Sequence, residues 1–121
     1  MSSGDLDSDG LRFPDQTCSN ERLDELQAEK DRICNSIPGK SCSPSKVSLK
    51  RLARRPCSEI RARLETLRAC YQIREQIQVE CFGGRPDAAH RKALQEIQNA
   101  IDACQALEEI NCAPGHPMAD Q

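Results

Sequence analysis

The chain reads as all-α: a small disulfide-stapled helical bundle built on a long antiparallel α-hairpin, about residues 57–82 and 86–111, with a packed N-terminal helix. Three observations carry this reading. Apolar residues recur at helical spacing through most of the chain. The two longest periodic segments are joined by about four residues, which obliges them to lie antiparallel. Eight cysteines accompany a composition that is 37% apolar with only Phe13, Tyr71 and Phe82 as aromatics, so cross-links are expected to supply what a modest core cannot.

The elements follow in order. Ser19 and Asn20 offer an N-cap, after which Leu23, Leu26, Ile33 and Ile37 recur until Pro38-Gly39 ends a first helix. Ser43-Pro44-Ser45 opens a short basic helix, from Lys46 to about Arg54, which Pro56 terminates. The third helix is expected from Cys57 or Ser58 to Glu80, with Ser58 as a cap and Ile60, Leu64, Leu67, Cys70, Ile73, Ile77 and Cys81 as its apolar stripe. The fourth starts at Pro86 or Asp87, where proline suits a first turn and a carboxylate suits the helix dipole. Its stripe is His90, Leu94, Ile97, Ile101, Cys104 and Leu107, and Pro114-Gly115 stops it. Residues 1–17 read as a flexible acidic leader, 18–112 as one helical domain and 113–121 as a tail.

The hairpin constrains the cysteines. Facing positions across the joint have numbers summing to about 169, which Cys57 and Cys112 satisfy. Cys70 with Cys104 would require an axial slip of about 7 Å, marginal for a disulfide. Cys70 and Cys81 lie about 20° from a common face, so both can look toward one neighbour, for which the first helix carrying Cys34 is the natural choice. Cys34 and Cys42 flank a short turn and can close it locally or pair elsewhere. The spacings contain no CxxC pair, so no metal site is expected, and disulfides point away from a reducing compartment.

Charge is uneven beneath a net value of −2: residues 1–31 are acidic, whereas Lys46 to Arg74 carries nine Lys or Arg. Such a strip can track phosphates, but the favoured reading is solvated helix faces paired with the acidic segment. No apolar run has the length of a membrane span, and the N-terminus lacks a signal peptide's apolar stretch. With so many cysteines, this suggests a fragment of a longer exported protein carrying an added start methionine.

The segment Cys81-Phe82-Gly83-Gly84-Arg85-Pro86-Asp87-Ala88-Ala89-His90 concentrates the candidate chemistry. The glycines offer backbone N–H groups at a tight joint, and one of them is also explained as a helix C-cap. His90 falls on the first turn of the fourth helix and can act as acid, base or ligand. The expected catalytic group is His90 with Asp87 or Glu80 orienting it; Gly83, Gly84, Arg85 and Arg91 are the expected substrate contacts. Glu75 and His116 are weaker candidates. No GxSxG, HExxH, P-loop or dinucleotide fingerprint is present, so no cofactor is specified.

Cys81, Phe82, Gly83, Gly84, Asp87, His90, Ala93 and Cys104, with Cys34, Cys57 and Cys70 upstream, resemble the C-terminal toxin domains of bacterial polymorphic toxins. The resemblance spans about Leu23 to Cys112. One departure is that Arg85-Pro86 separates the glycines from Asp87, where the pattern has Gly-Gly-Asp contiguous. The resemblance implies a secreted effector used in interbacterial competition, released from the tip of a long Rhs-type carrier exported by contact-dependent or type VI systems. It also implies a cognate immunity protein. The reaction is not given; a nuclease acting on nucleic acid is the default for such tips. The alternatives are an envelope- or cell-wall-directed toxin, and a non-enzymatic disulfide-stapled module acting on a membrane or protein partner. A reduced intracellular adaptor would instead show eight free thiols.

Overall fold

A helix that must bury two faces becomes the axis of its fold, and the third helix of this chain does so. The computed structural model describes residues 11–36, 42, 49–85 and 87–120, which form α1 (Asn20–Cys34), α2 (Leu49–Ala53), α3 (Cys57–Phe82) and α4 (Ala88–Asn111). The first half of α3 packs on α4: Ile60, Leu64 and Leu67 meet Ile101, Cys104 and Leu107, with Leu52 of α2 and Cys42 closing one side. Its second half packs on α1, where Ile73, Ile77 and Cys81 meet Leu23 and Leu26. All seven expected stripe residues of α3 are buried.

The caps follow ordinary chemistry with two departures. Ser19 caps α1, its Oγ accepting from Arg22 N at 3.0 Å. The helix then ends at Cys34, short of Pro38-Gly39, because Ser36 N and Oγ both donate to Ile33 O, at 3.2 and 2.7 Å, and tighten the last turn. Ile37, Pro38-Gly39, Ser43 to Ser45, Lys46, Pro86 and residues 1–10 lie outside the described residues. For α3 the N-cap is Pro56 and not Ser58, which lies inside the helix. Proline brings no capping side chain; instead the Cys57 N–H donates to Met118 O at 3.0 Å, so residues read as tail return to satisfy a helix start. Asn111, fully buried, donates through Nδ2 to Leu52 O (2.8 Å) and Arg55 O (3.0 Å), tying the end of α4 to the end of α2.

Four disulfides fasten this frame: Cys57–Cys112, Cys18–Cys81, Cys34–Cys70 and Cys42–Cys104, with Cα separations of 5.1, 4.5, 5.0 and 5.0 Å. Cys57–Cys112 is the pair expected from the hairpin register. Arg61 Nε at 3.2 Å from Glu108 Oε2 repeats that register one turn further along. Cys70 and Cys81 both turn toward α1 as expected, whereas Cys34 and Cys42 do not close a local loop. Each link spans 36 to 63 residues, a length for which restriction of the unfolded chain contributes about 4 kcal/mol.

Three cations of the basic segment are held in ion pairs within the fold. Arg55 Nη1 and Arg63 Nη2 share Glu59 Oε2 at 3.2 and 3.1 Å, and burial lowers the pKa of Arg63, with the charge of Arg55 adding to the effect. Arg61 is committed to Glu108, and Arg74 faces elsewhere. For Arg55, Arg61 and Arg63 these partners are glutamates of α3 and α4. No described helix is long and apolar enough to cross a membrane.

Candidate functional site

The second half of α3 turns its buried face to α1, so the first turns of α4 have no described helix to bury against. Residues 88–92 are therefore exposed. His90, expected on the inward stripe, keeps 52% of its side chain accessible; burial on α4 begins at Ile101 and continues at Cys104, Leu107 and Asn111. Its ring instead lines a groove of about 720 Å³ between the hairpin joint, α1 and residues 13–15.

The joint explains the double glycine. Gly83 and Gly84 have φ of 68° and 76°, the left-handed region that disfavours other residues, and no neighbour crowds their missing Cβ atoms. Both amides are directed to Gln78 O, that of Gly84 at 2.7 Å, so they close α3 and do not stand open to a ligand.

Asp87 is the N-cap of α4, with Oδ1 accepting from His90 N at 2.9 Å; the fourth helix thus starts at Ala88. The same oxygen lies 2.9 Å from His90 Nδ1. The His90 backbone N–H, followed by its ring, holds the Asp87 carboxyl below its ordinary range. An ionised carboxylate only accepts, so Nδ1 is the donor in this contact, and in the neutral ring Nε2 is then the acceptor. Asp87 and His90 form a carboxylate–imidazole dyad that lines the groove.

The other sequence candidates separate. Arg85 lines the groove beside Asp87 and His90; Arg91 is exposed on α4 outside its lining. Glu80 is 38% exposed and turned to α1: it accepts from Arg22 Nε (2.6 Å), Arg22 Nη2 (3.2 Å) and Gln76 (2.9 Å). Arg22 first, then Gln76, lowers its pKa, and it does not reach the dyad. Glu75 is exposed outside the lining, and His116 Nδ1 accepts from Met118 N within its own turn.

Three cations line the groove: Arg85, Lys30 and Arg74, opposed by Asp15 and Asp87. Lys30 Nζ lies 3.1 Å from Asp31. Arg74 Nε is buried without a hydrogen-bond partner among the described residues. Sequence reading missed Arg74 and Lys30 as groove residues, although Arg74, Gln78 and Phe82 form one i, i+4 row leading to the joint.

Residues 13–15 form the remaining wall. Read from sequence as part of a leader, residues 11–17 are fastened by the Cys18–Cys81 link, by Thr17 N to Cys81 O (2.7 Å) and by Thr17 Oγ to Glu80 O (2.8 Å). Buried Gln16 donates to Cys18 O and Asn20 Oδ1, while Arg12 Nη2 pairs with Asp24 Oδ2 at 2.9 Å. Among the described residues no three His, Cys, Asp or Glu side chains converge as a metal site.

The family model described as novel toxin 16 matches residues 15–107, a stretch that contains the dyad and all three groove cations. No curated protein and no solved structure matches the chain.

Proposed function

The chain belongs to the novel toxin 16 family, and from that premise we propose that it is an effector of interbacterial competition that cleaves nucleic-acid phosphodiesters. The observation that carries this reading is the Asp87–His90 pair lining one groove with Arg74, Arg85 and Lys30. His90 Nε2 takes the proton of an attacking hydroxyl or water as its oxygen bonds to phosphorus. The imidazolium that forms is stabilised by Asp87, and the groove cations offset the charge that builds on the phosphoryl oxygens. The departing oxygen takes its proton from solvent or from the same imidazolium.

The effector unit is the expected 18–112 domain together with the docked residues 11–17. It is delivered into a target cell from a longer carrier, of Rhs type by resemblance, and a cognate immunity protein protects the producer. Four disulfides support passage through an oxidising compartment. They also favour a second reading, a hydrolase directed at the envelope or cell wall. Incubating the purified oxidised protein with RNA, DNA, peptidoglycan and dye-loaded liposomes separates the readings. Breakdown of RNA or DNA is the expected result; release of muropeptides or dye with nucleic acid intact would replace it.

A further inference from the structure

Both phenylalanines of the chain meet at this groove, although they are far apart in sequence. Their rings form an edge-to-face pair with centroids 5.7 Å apart and planes at 66°. Phe82 is half-buried against the α1–α3 core, so it holds Phe13 from one side. Phe13 stays 46% exposed, yet its segment is fixed by the Gln16 hydrogen bonds and the Cys18–Cys81 link. An aromatic ring presented to solvent on a fastened segment, lining the same groove as Arg74 and Arg85, combines the two elements that bind an unpaired nucleotide: a stacking platform and cations for its phosphates.

We infer that the groove takes single-stranded nucleic acid, with one base stacked on Phe13 and neighbouring phosphates on Arg74 and Arg85. The inference deepens the nucleic-acid reading of the site and rests on it. A duplex hides its base faces and would present only phosphates, and the cations beyond the groove that could follow them are partly withdrawn: Arg55 and Arg63 are held by Glu59, and Arg61 by Glu108. Asp15 and Asp87 within the groove limit the phosphates it can hold. Two contacts at about 0.7 each give a shallow salt dependence, a log–log slope of about −1.4.

The test measures fluorescence anisotropy of labelled 12-nucleotide strands against the full chain carrying His90→Ala, which keeps substrate intact. The arms are a single strand, the same strand in duplex, an abasic strand of equal charge, and vesicles containing phosphatidylglycerol. Single strands are expected to bind about tenfold or more tightly than the duplex and abasic arms. Adding Phe13→Ala should remove about that factor and Phe13→Trp should restore it. Circular dichroism and a mass showing four intact disulfides check that the variants are folded. Equal affinity for all nucleic-acid arms, indifference to Phe13→Ala, or binding to vesicles alone would overturn the inference. The two claims fail separately: Phe13-dependent binding of strands that wild type leaves uncut sinks the cleavage reading alone. Cleavage of single and double strands that is indifferent to Phe13→Ala sinks this one alone.

Discussion

Asp87 Oδ1 lies 2.9 Å from both the backbone nitrogen and the ring Nδ1 of His90, so one carboxylate oxygen caps α4 and orients the imidazole. The two roles have different chemical requirements. Capping needs an acceptor, which asparagine supplies; stabilising an imidazolium needs a negative charge, which it does not.

Asp87→Asn is therefore expected to keep thermal stability close to wild type while lowering activity by about a hundredfold or more. Asp87→Ala should lose the same activity and also lower Tm. Paired melting curves and activity assays of the two variants check this, and equal activity of Asp87→Asn and wild type would remove the orienting role.

Glu80, which sequence reading placed near the catalytic group, is predicted to act in stability. Its pKa is lowered by Arg22 and Gln76, so its contribution is present above the ordinary carboxylate range and is lost as pH falls through the lowered value. Asp24, lowered by Arg12, behaves in the same direction. Glu80→Gln should lower Tm at pH 7, shrink the loss of Tm on acidification below about pH 4, and leave activity unchanged. Melting curves from pH 7 to 2 test the sign.

Glu59 serves two guanidinium groups, those of Arg63, 9% exposed, and Arg55, 12% exposed. Removing it leaves two cations near the start of α3 without their shared partner. Glu59→Ala is expected to cost roughly 2 kcal/mol in urea unfolding, below the range for fully buried pairs because Glu59 is itself partly exposed. A cost near zero would mean that water serves these groups equally well.

The disulfides divide by role. Replacing Cys57 and Cys112 by serine should lower stability by about 2–5 kcal/mol, since this link closes the open end of the hairpin. Replacing Cys18 and Cys81 should in addition free the wall carrying Phe13, Pro14 and Asp15. Hydrogen exchange of residues 11–17 should rise sharply in the second variant and little in the first.

What the sequence disclosed and what it withheld have a common physical basis. The register of α3 against α4 follows from helix periodicity and a short joint, so Cys57 with Cys112 was readable. The same periodicity turned Cys70 and Cys81 toward the first helix. Cys42 and Cys18 sit in segments without a repeating pattern, and their partners Cys104 and Cys81 are set by tertiary packing across 62 and 63 residues. Periodicity also put His90 on the buried stripe. It could not tell that the second half of α3 would be covered by α1, which leaves the start of α4 exposed. The groove needed that exposure and a wall from residues 13–15, neither of which a local pattern encodes.

The most direct test of the account is the toxicity of His90→Ala when delivered to, or expressed in, susceptible cells, with its disulfides and helicity verified. The account predicts that toxicity is lost while the fold and all four cross-links remain. A folded His90→Ala protein as toxic as wild type would contradict it.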